Sequence, residues 1–313
     1  MATAGFPLLP ITSAQTVRRI REMAVGPRDC FVASFPKSGT TWMQHIVYQL
    51  VCASAGRASG RHISEFSPFL EADRTWDGES ASLEDRAYQP LHNDEREDQA
   101  LGLELHRAQP ASSLHRELGY RAFNTHFLPG MLPPGPAKII YVLREALDVC
   151  TSQWHHFSHM DESDGGFTGD LTAFARDWLA GDLAFGAWAP HVEAWLSAAA
   201  RDGRILLVHF EDLKTDLSAQ LQRICAHLAL EVTEAELAAV LPRLSFAWMK
   251  ENSALFEPRS VRWVERGDAF NFLRKGESGD APNLLSEELL QRVREQTAAT
   301  SQRLAELRAA PHS

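Results

Sequence analysis

The sequence predicts an α/β domain: one parallel sheet with helices on both faces, a single three-layer unit over residues 1–313. Three observations predict it. Short apolar runs of strand length recur at residues 30–35, 120–124, 138–143 and 205–209. Segments with helical apolar spacing lie between most of these runs, and strands that alternate with helices form parallel sheets buried on both sides. The 313 residues are 44% hydrophobic and 23% charged, an ordinary globular composition with enough chain for a large core.

The elements follow in order. Residues 12–24 read as an amphipathic helix with Thr12 or Ser13 as its cap. Residues 30–35 (CFVASF) are bounded by turn residues, the pattern of a buried strand. Residues 36–41 form a turn, and Trp42, Ile46, Gln49 and Leu50 space out a helix over 42–52. Residues 53–118 are polar and poorly periodic, apart from short helices expected near 95–107 and 112–118. Strands are expected at 120–124, 138–143 and 205–209, and helices at 146–157, 171–179, 185–200, 217–228 and 233–240. Pro282 precedes a last helix over 286–309.

Composition also excludes function classes. No apolar run approaches the roughly 18–20 residues of a membrane span, and the first residues lack the form of a signal peptide. Cys30, Cys52, Cys150 and Cys225 are too scattered for a disulfide framework, so buried thiols in a reducing cytoplasm are expected. The formal net charge of -10 argues against a nucleic-acid binder. Between residues 71 and 104 there are eleven Asp or Glu against three Arg, which leaves the rest of the chain near neutral. That acidic insertion is expected to be a surface segment, a possible cover over a substrate pocket.

Strand–FPKSGTT–helix is a phosphate-binding arrangement. A turn offers successive backbone N–H groups, a helix N-terminus adds partial positive charge, and Lys37 adds a full one. Gly39 allows close approach of an anion, and Thr40 and Thr41 supply hydroxyls. The lysine comes too early, and with too few glycines, for a Walker A loop. His126 follows a strand end in NTHFLP, where a neutral imidazole suits proton acceptance near pH 7. His155 and His159 stand four apart, as metal-binding histidines often do, but no metal site is expected here.

These motifs together resemble the cytosolic sulfotransferases, which use 3′-phosphoadenosine 5′-phosphosulfate (PAPS). Residues 35–42 (FPKSGTTW) are similar to their 5′-phosphosulfate loop, and residues 141–157 (YVLR through Ser152) to their 3′-phosphate segment. Residues 210–214 (FEDLK) resemble a strand-end motif of theirs, and residues 272–280 (FLRKGESGD) their last nucleotide loop. The resemblance implies a P-loop-like fold and transfer of a sulfuryl group to a hydroxyl or amine of a small-molecule acceptor. It implies no metal, and a bisphosphate, 3′,5′-adenosine bisphosphate (PAP), as second product. His126 would be the general base and Lys37 the cation on the leaving phosphate. Ser38, Gly39, Thr40 and Thr41 would hold the 5′-phosphate. Arg144, Ser152, Arg274, Lys275 and the Gly276 backbone would hold the 3′-phosphate. Trp42, Phe210, Ser245, Phe246 and Met249 would enclose the adenine, and Asn124, His126 and Phe185 would meet the acceptor. Asn124 stands where many members carry lysine, and the family's short dimer motif is absent from residues 283–297, so the oligomeric state stays open. The competing readings are a P-loop kinase-like enzyme and a nucleotide-binding module without catalysis.

Overall fold

The computed structural model describes residues 5–76, 111–265, 272, 273, 276, 279 and 281–309. Four parallel strands form the sheet: β1 (Asp29–Ser34), β2 (Arg121–Thr125), β3 (Lys138–Leu143) and β4 (Ile205–His209). Their order is β2-β1-β3-β4, with Val32 opposite Asn124 on one side of β1 and Ile140 on the other. All six residues of β1 are buried, as a strand with neighbours on both edges and helices on both faces must be.

Side-chain alternation divides the interior in two. Phe31, Ala33, Ile139, Tyr141 and Leu143 point into one core, which Trp178, Trp188, Trp195 and the last helix complete. Cys30, Val32, Ile140 and Val142 point into the other, packed on Ile46, Val47, Leu50 and Ile224. Two cores on two faces of one sheet make the expected three layers. All four cysteines are buried free thiols. Among the described residues no helix is long and apolar enough to cross a membrane.

Helix boundaries follow local chemistry. Ser13 caps Ala14–Glu22 by accepting from Thr16 N–H at 3.2 Å. Thr233 and Glu236 form a capping box at Glu234–Val240. Lys138–Leu143, Ala146–Phe157, Ile205–His209 and Leu217–Leu228 have the bounds read from the sequence.

Four expectations need correction or refinement. Thr40 and Thr41 are not turn residues but open the helix Thr40–Ser54, because Gly39 takes the left-handed conformation that starts it. FEDLK, expected only as a motif where the strand over 205–209 ends, forms a short helix Phe210–Thr215 of its own directly after β4. The helix expected from 185 runs Trp188–Ala199, and Phe185 and Gly186 precede it with φ of 72° and 71°. Glu71, counted with the acidic insertion, is a core residue at 0% exposure. The rest of that insertion from residue 77, with the helix expected near 95–107, lies outside the described residues.

Candidate active site

A cavity of about 510 Å³ opens where the four strands end. In open α/β sheets this is where ligands bind, beside the point at which strand order reverses. Each strand delivers residues to it: β1 the turn from Pro36, β2 Asn124 and His126, β3 Arg144, β4 Phe210. Of the expected site residues, Lys37, Gly39, Thr40, Thr41, Trp42, Asn124, His126, Arg144, Ser152, Phe185, Phe210, Ser245, Phe246, Met249 and Gly276 all line it. Ser38 is buried in the turn, and Arg274 and Lys275 lie outside the described residues.

The phosphate turn is shaped by two left-handed residues. Lys37 has φ of 67° and Gly39 φ of 101°. A Cβ on Gly39 would stand 2.6 Å from the Phe210 ring, so glycine is required on grounds of space and of conformation. The first turn of Thr40–Ser54 carries no acidic residue, and Thr40, Thr41 and Trp42 line the same cavity. Arg144 Nη1 donates to the Lys37 carbonyl at 3.2 Å, and its guanidinium lies 4.5 Å from the Phe210 ring centroid. Asp148 stands 3.8 Å from Arg144 and accepts from the Gly279 N–H at 2.8 Å. Arg144 therefore meets the backbone of Lys37 at the end of the β1–β3 pair.

Aromatic rings occupy the β4 side. Trp42 meets Phe210 edge-on at 5.6 Å, and its indole N–H donates to the Leu244 carbonyl at 2.8 Å. A Cβ on Gly276 would stand 2.5 Å from the Phe246 ring. Ser245 caps the helix Phe246–Glu251 by accepting from Trp248 N–H, a helix absent from the sequence reading. These rings form an apolar slot next to the two cations, a donor set fitted to a nucleotide base and its phosphates.

His126 is fixed from three sides. Its Nδ1–H donates to the Ser34 carbonyl at 2.9 Å, which leaves Nε2 with the lone pair. Its backbone N–H donates to the Glu71 carboxyl at 2.5 Å, and its carbonyl accepts from His191 Nε2–H at 2.9 Å. His191 in turn accepts from the Tyr141 hydroxyl at 2.9 Å. Desolvation pushes His126 down to about 3 and His191 to about 4, so both are neutral at physiological pH. Desolvation pushes Glu71 up to about 8, opposed by the His126 and Thr125 donors. Lys37 is pushed down to about 7, first by burial and then by Arg144.

Around His126 the wall is apolar. Phe69 and Phe185 stand 5.5 and 5.2 Å from its ring, and Leu9, Met160 and Val261 continue the surface. Phe185 is held by donation from its N–H to the Pro7 carbonyl at 2.7 Å. Sequence reasoning missed Phe69, Glu71 and His156. The SPFLE run before the acidic stretch is the available signal for the first two, and nothing in the sequence sets His156 apart from its neighbours His155 and His159. His155 and His159 do lie close, with ring centroids 4.8 Å apart. Among the described residues no three metal-ligating side chains converge.

The family model described as "Sulfotransferase domain" matches residues 27–307. Human "Sulfotransferase 1C2" is 26% identical over 281 residues, covering 88% of this chain and 84% of its own. The firefly Photinus pyralis "Luciferin sulfotransferase" is 25% identical over 301 residues, covering 92% and 76%. Among solved structures, mouse sulfotransferase SULT7A1 complexed with PAP superposes with a TM-score of 0.65 at 22% identity, covering 99% of both chains. Retinol dehydratase in a complex with retinol and PAP gives 0.67 at 22%, covering 91% and 84%. At such identities the superposition speaks for the shared fold.

Proposed function

The chain belongs to the sulfotransferase family, and we propose that it moves the sulfuryl group of PAPS in line onto a hydroxyl, or an amine, of a small apolar acceptor. One observation carries the reading: Lys37 and His126 line one cavity, the first beside Arg144 and the helix N-terminus, the second inside an apolar wall. The SULT7A1 and retinol dehydratase structures contain PAP, the nucleotide left after such a transfer.

The donor fits the residues present. The adenine would lie among Trp42, Phe210, Phe246 and Met249. Arg144 and Ser152, with Arg274, Lys275 and the Gly276 backbone, would take the 3′-phosphate, where a planar guanidinium pairs two oxygens at once. The 5′-phosphate would rest on the backbone of residues 38–41 with the threonine hydroxyls. The Lys37 ammonium would face the bridging oxygen, where negative charge grows as the S–O bond breaks. A cation at that point stabilises the transition state more than the bound ground state.

The acceptor hydroxyl would approach His126 Nε2. As the new S–O bond forms, that hydroxyl becomes strongly acidic and its proton passes to the imidazole lone pair. A base depressed this far is always in its receptive form at pH 7. The Asn124 amide can donate to the sulfuryl oxygens from the next-but-one position on β2. Phe69, Phe185, Met160 and Val261 would select an apolar acceptor body and keep water out.

The test is a panel of phenols, alicyclic alcohols, lipid alcohols and amines with isotopically labelled PAPS, read by mass spectrometry. One acceptor that gains the label supports the reading. Thermal shift separates it from the alternatives: PAP alone should raise the midpoint by mass action. A shift from ATP with magnesium and none from PAP would favour a kinase-like enzyme instead.

A further inference from the structure

We propose that His156 is a positioning residue for Lys37: its imidazole holds the lysine ammonium at the donor site and favours its charged form without cancelling that charge. The inference rests on the assignment of Lys37 to the leaving phosphate.

The geometry is specific. Lys37 Nζ lies 3.3 Å from His156 Nδ1. An ammonium group can only donate, so Nδ1 is the acceptor and the imidazole proton sits on Nε2. This is the opposite tautomer to His126, whose Nδ1 faces a carbonyl. The Phe272 ring stands 4.5 Å from the same nitrogen and adds a cation–π contact. At its other end Lys37 is fixed by its left-handed backbone and by Arg144 on its carbonyl. His156 is wedged edge-on against Trp263 at 5.0 Å and Phe272 at 5.9 Å, in the last turn of Ala146–Phe157. The negative end of that helix dipole acts in the same direction.

A neutral partner is what this position calls for. Lys37 is desolvated and faces Arg144, and both effects work against its charge. The polar partner of the Lys37 ammonium is the His156 imidazole rather than a carboxylate. A carboxylate there would hold the proton on but would also neutralise the field that the leaving group needs. An imidazole lone pair holds the proton on and leaves the full positive charge available. It can do so because His156 is itself kept well below its ordinary value, by burial and then by Lys37, with smaller contributions from His126, His155 and His159. When the donor enters, one neutral hydrogen-bond acceptor is exchanged for an anionic oxygen, so the lysine is drawn across.

Titration of Lys37 tests this directly. The chain has five lysines, Lys37, Lys138, Lys214, Lys250 and Lys275, so a carbon-labelled lysine spectrum is sparse, and Lys37→Arg identifies the signal. His156→Leu and His156→Gln remove the acceptor at the Nδ1 position, while His156→Asn places its amide oxygen there. Loss of a hydrogen bond to a charged group should lower the Lys37 midpoint by about one to two pH units in the Leu and Gln variants. The Asn variant should return most of that shift. The alkaline limb of kcat/KM for PAPS should move the same way. An unchanged Lys37 midpoint in both the Leu and Gln variants overturns the proposal, and so does an Asn variant that behaves like Leu. PAP binding measured at pH 6 confirms that each variant is folded. Failure of the wild-type protein to bind PAP would instead overturn the functional reading, with the lysine titration still interpretable.

Discussion

The two ends of the cavity manage charge in opposite ways. At the proposed donor end, Arg144 and Lys37 follow neighbouring central strands beside a helix N-terminus, with Lys37 pushed down to about 7 by burial and by Arg144. At the acceptor end, on the flank of β2, ionisable groups are kept neutral: His126 at about 3, His191 at about 4 and Glu71 at about 8. The difference follows from what surrounds them. Cations bordering a site for an anionic ligand gain from one another only when that ligand arrives. A base in an apolar wall works by being uncharged beforehand. Under the proposed function, one cavity would receive a polyanion and an apolar alcohol side by side.

The sharpest way to break this division is to remove the base. His126→Ala should lower turnover by about 10²–10⁴, the usual worth of a positioned base, while PAP affinity measured by calorimetry stays near wild type. Loss of PAP binding in that variant would mean that the two ends are not separable.

Gly39→Ala attacks the other end. The new Cβ meets Phe210 at 2.6 Å, and that ring also carries the Arg144 guanidinium and the edge of Trp42. The left-handed backbone adds about 1–2 kcal/mol for a residue with a side chain. PAP affinity should fall by about tenfold or more, with the acceptor KM unchanged at saturating donor. A shift in acceptor KM alone would reverse the assignment of the two ends.

Acid stability reads the neutral end. His126 and His191, together with His115, which is buried away from the cavity against Phe66 and Phe123, have folded values of about 3, 4 and 4 against an ordinary 6.5, so the unfolded chain binds more protons below pH 6.5. The stability they support is complete above pH 6.5 and is lost as pH falls toward 4. Glu71, folded at about 8, has the opposite sign: its contribution is present below pH 4.5 and fades as pH rises through 8. Three protons outweigh one, and each is worth up to about 1.4 kcal/mol per pH unit. Thermal midpoints should therefore drop steeply from pH 6.5 to 5. A flat profile over that range would show that these groups are not held neutral.

The turn that lines the proposed donor end was legible in the sequence because a short turn between a strand and a helix carries its own chemistry. FPKSGTTW names its residues in one stretch, and strand periodicity places it. Arg144 and Ser152 were legible for the same reason, since β3 and the helix after it begin and end as their pattern dictates. The acceptor end is assembled from distant pieces: Leu9, Phe69, Met160, Phe185 and Val261 share no local pattern. Glu71 shows the difficulty most clearly. It stands between the apolar Phe69, Leu70 and Ala72 and a long acidic run, and a carboxylate so placed predicts solvent exposure, yet tertiary contacts with Thr125 and His126 bury it completely. Phe185 carried helical neighbours, and only the left-handed turn it makes with Gly186 swings its ring to the base.

The smallest expected effect sharpens the comparison most, because it touches one wall only. Phe69 forms a single parallel bridge to Asn124, and its ring tilts over His126 at 5.5 Å. The backbone around it is fixed independently of the ring: Asn124 N–H donates to Pro68 at 2.9 Å, and Leu70 N–H to Asn124 at 3.0 Å. Phe69→Ala should thus leave β2 and the His126 bonds in place and enlarge the cavity at the acceptor end. Partial loss of an aromatic contact costs about 1 kcal/mol, which corresponds to roughly a fivefold rise in acceptor KM. Donor affinity should not move, and the loss should be greatest for bulky rings and least for short-chain alcohols. If all acceptors lose equally and kcat falls with them, Phe69 acts by orienting the His126 ring rather than by walling the acceptor. The neutral end would then be a device for placing the base, with selectivity set elsewhere.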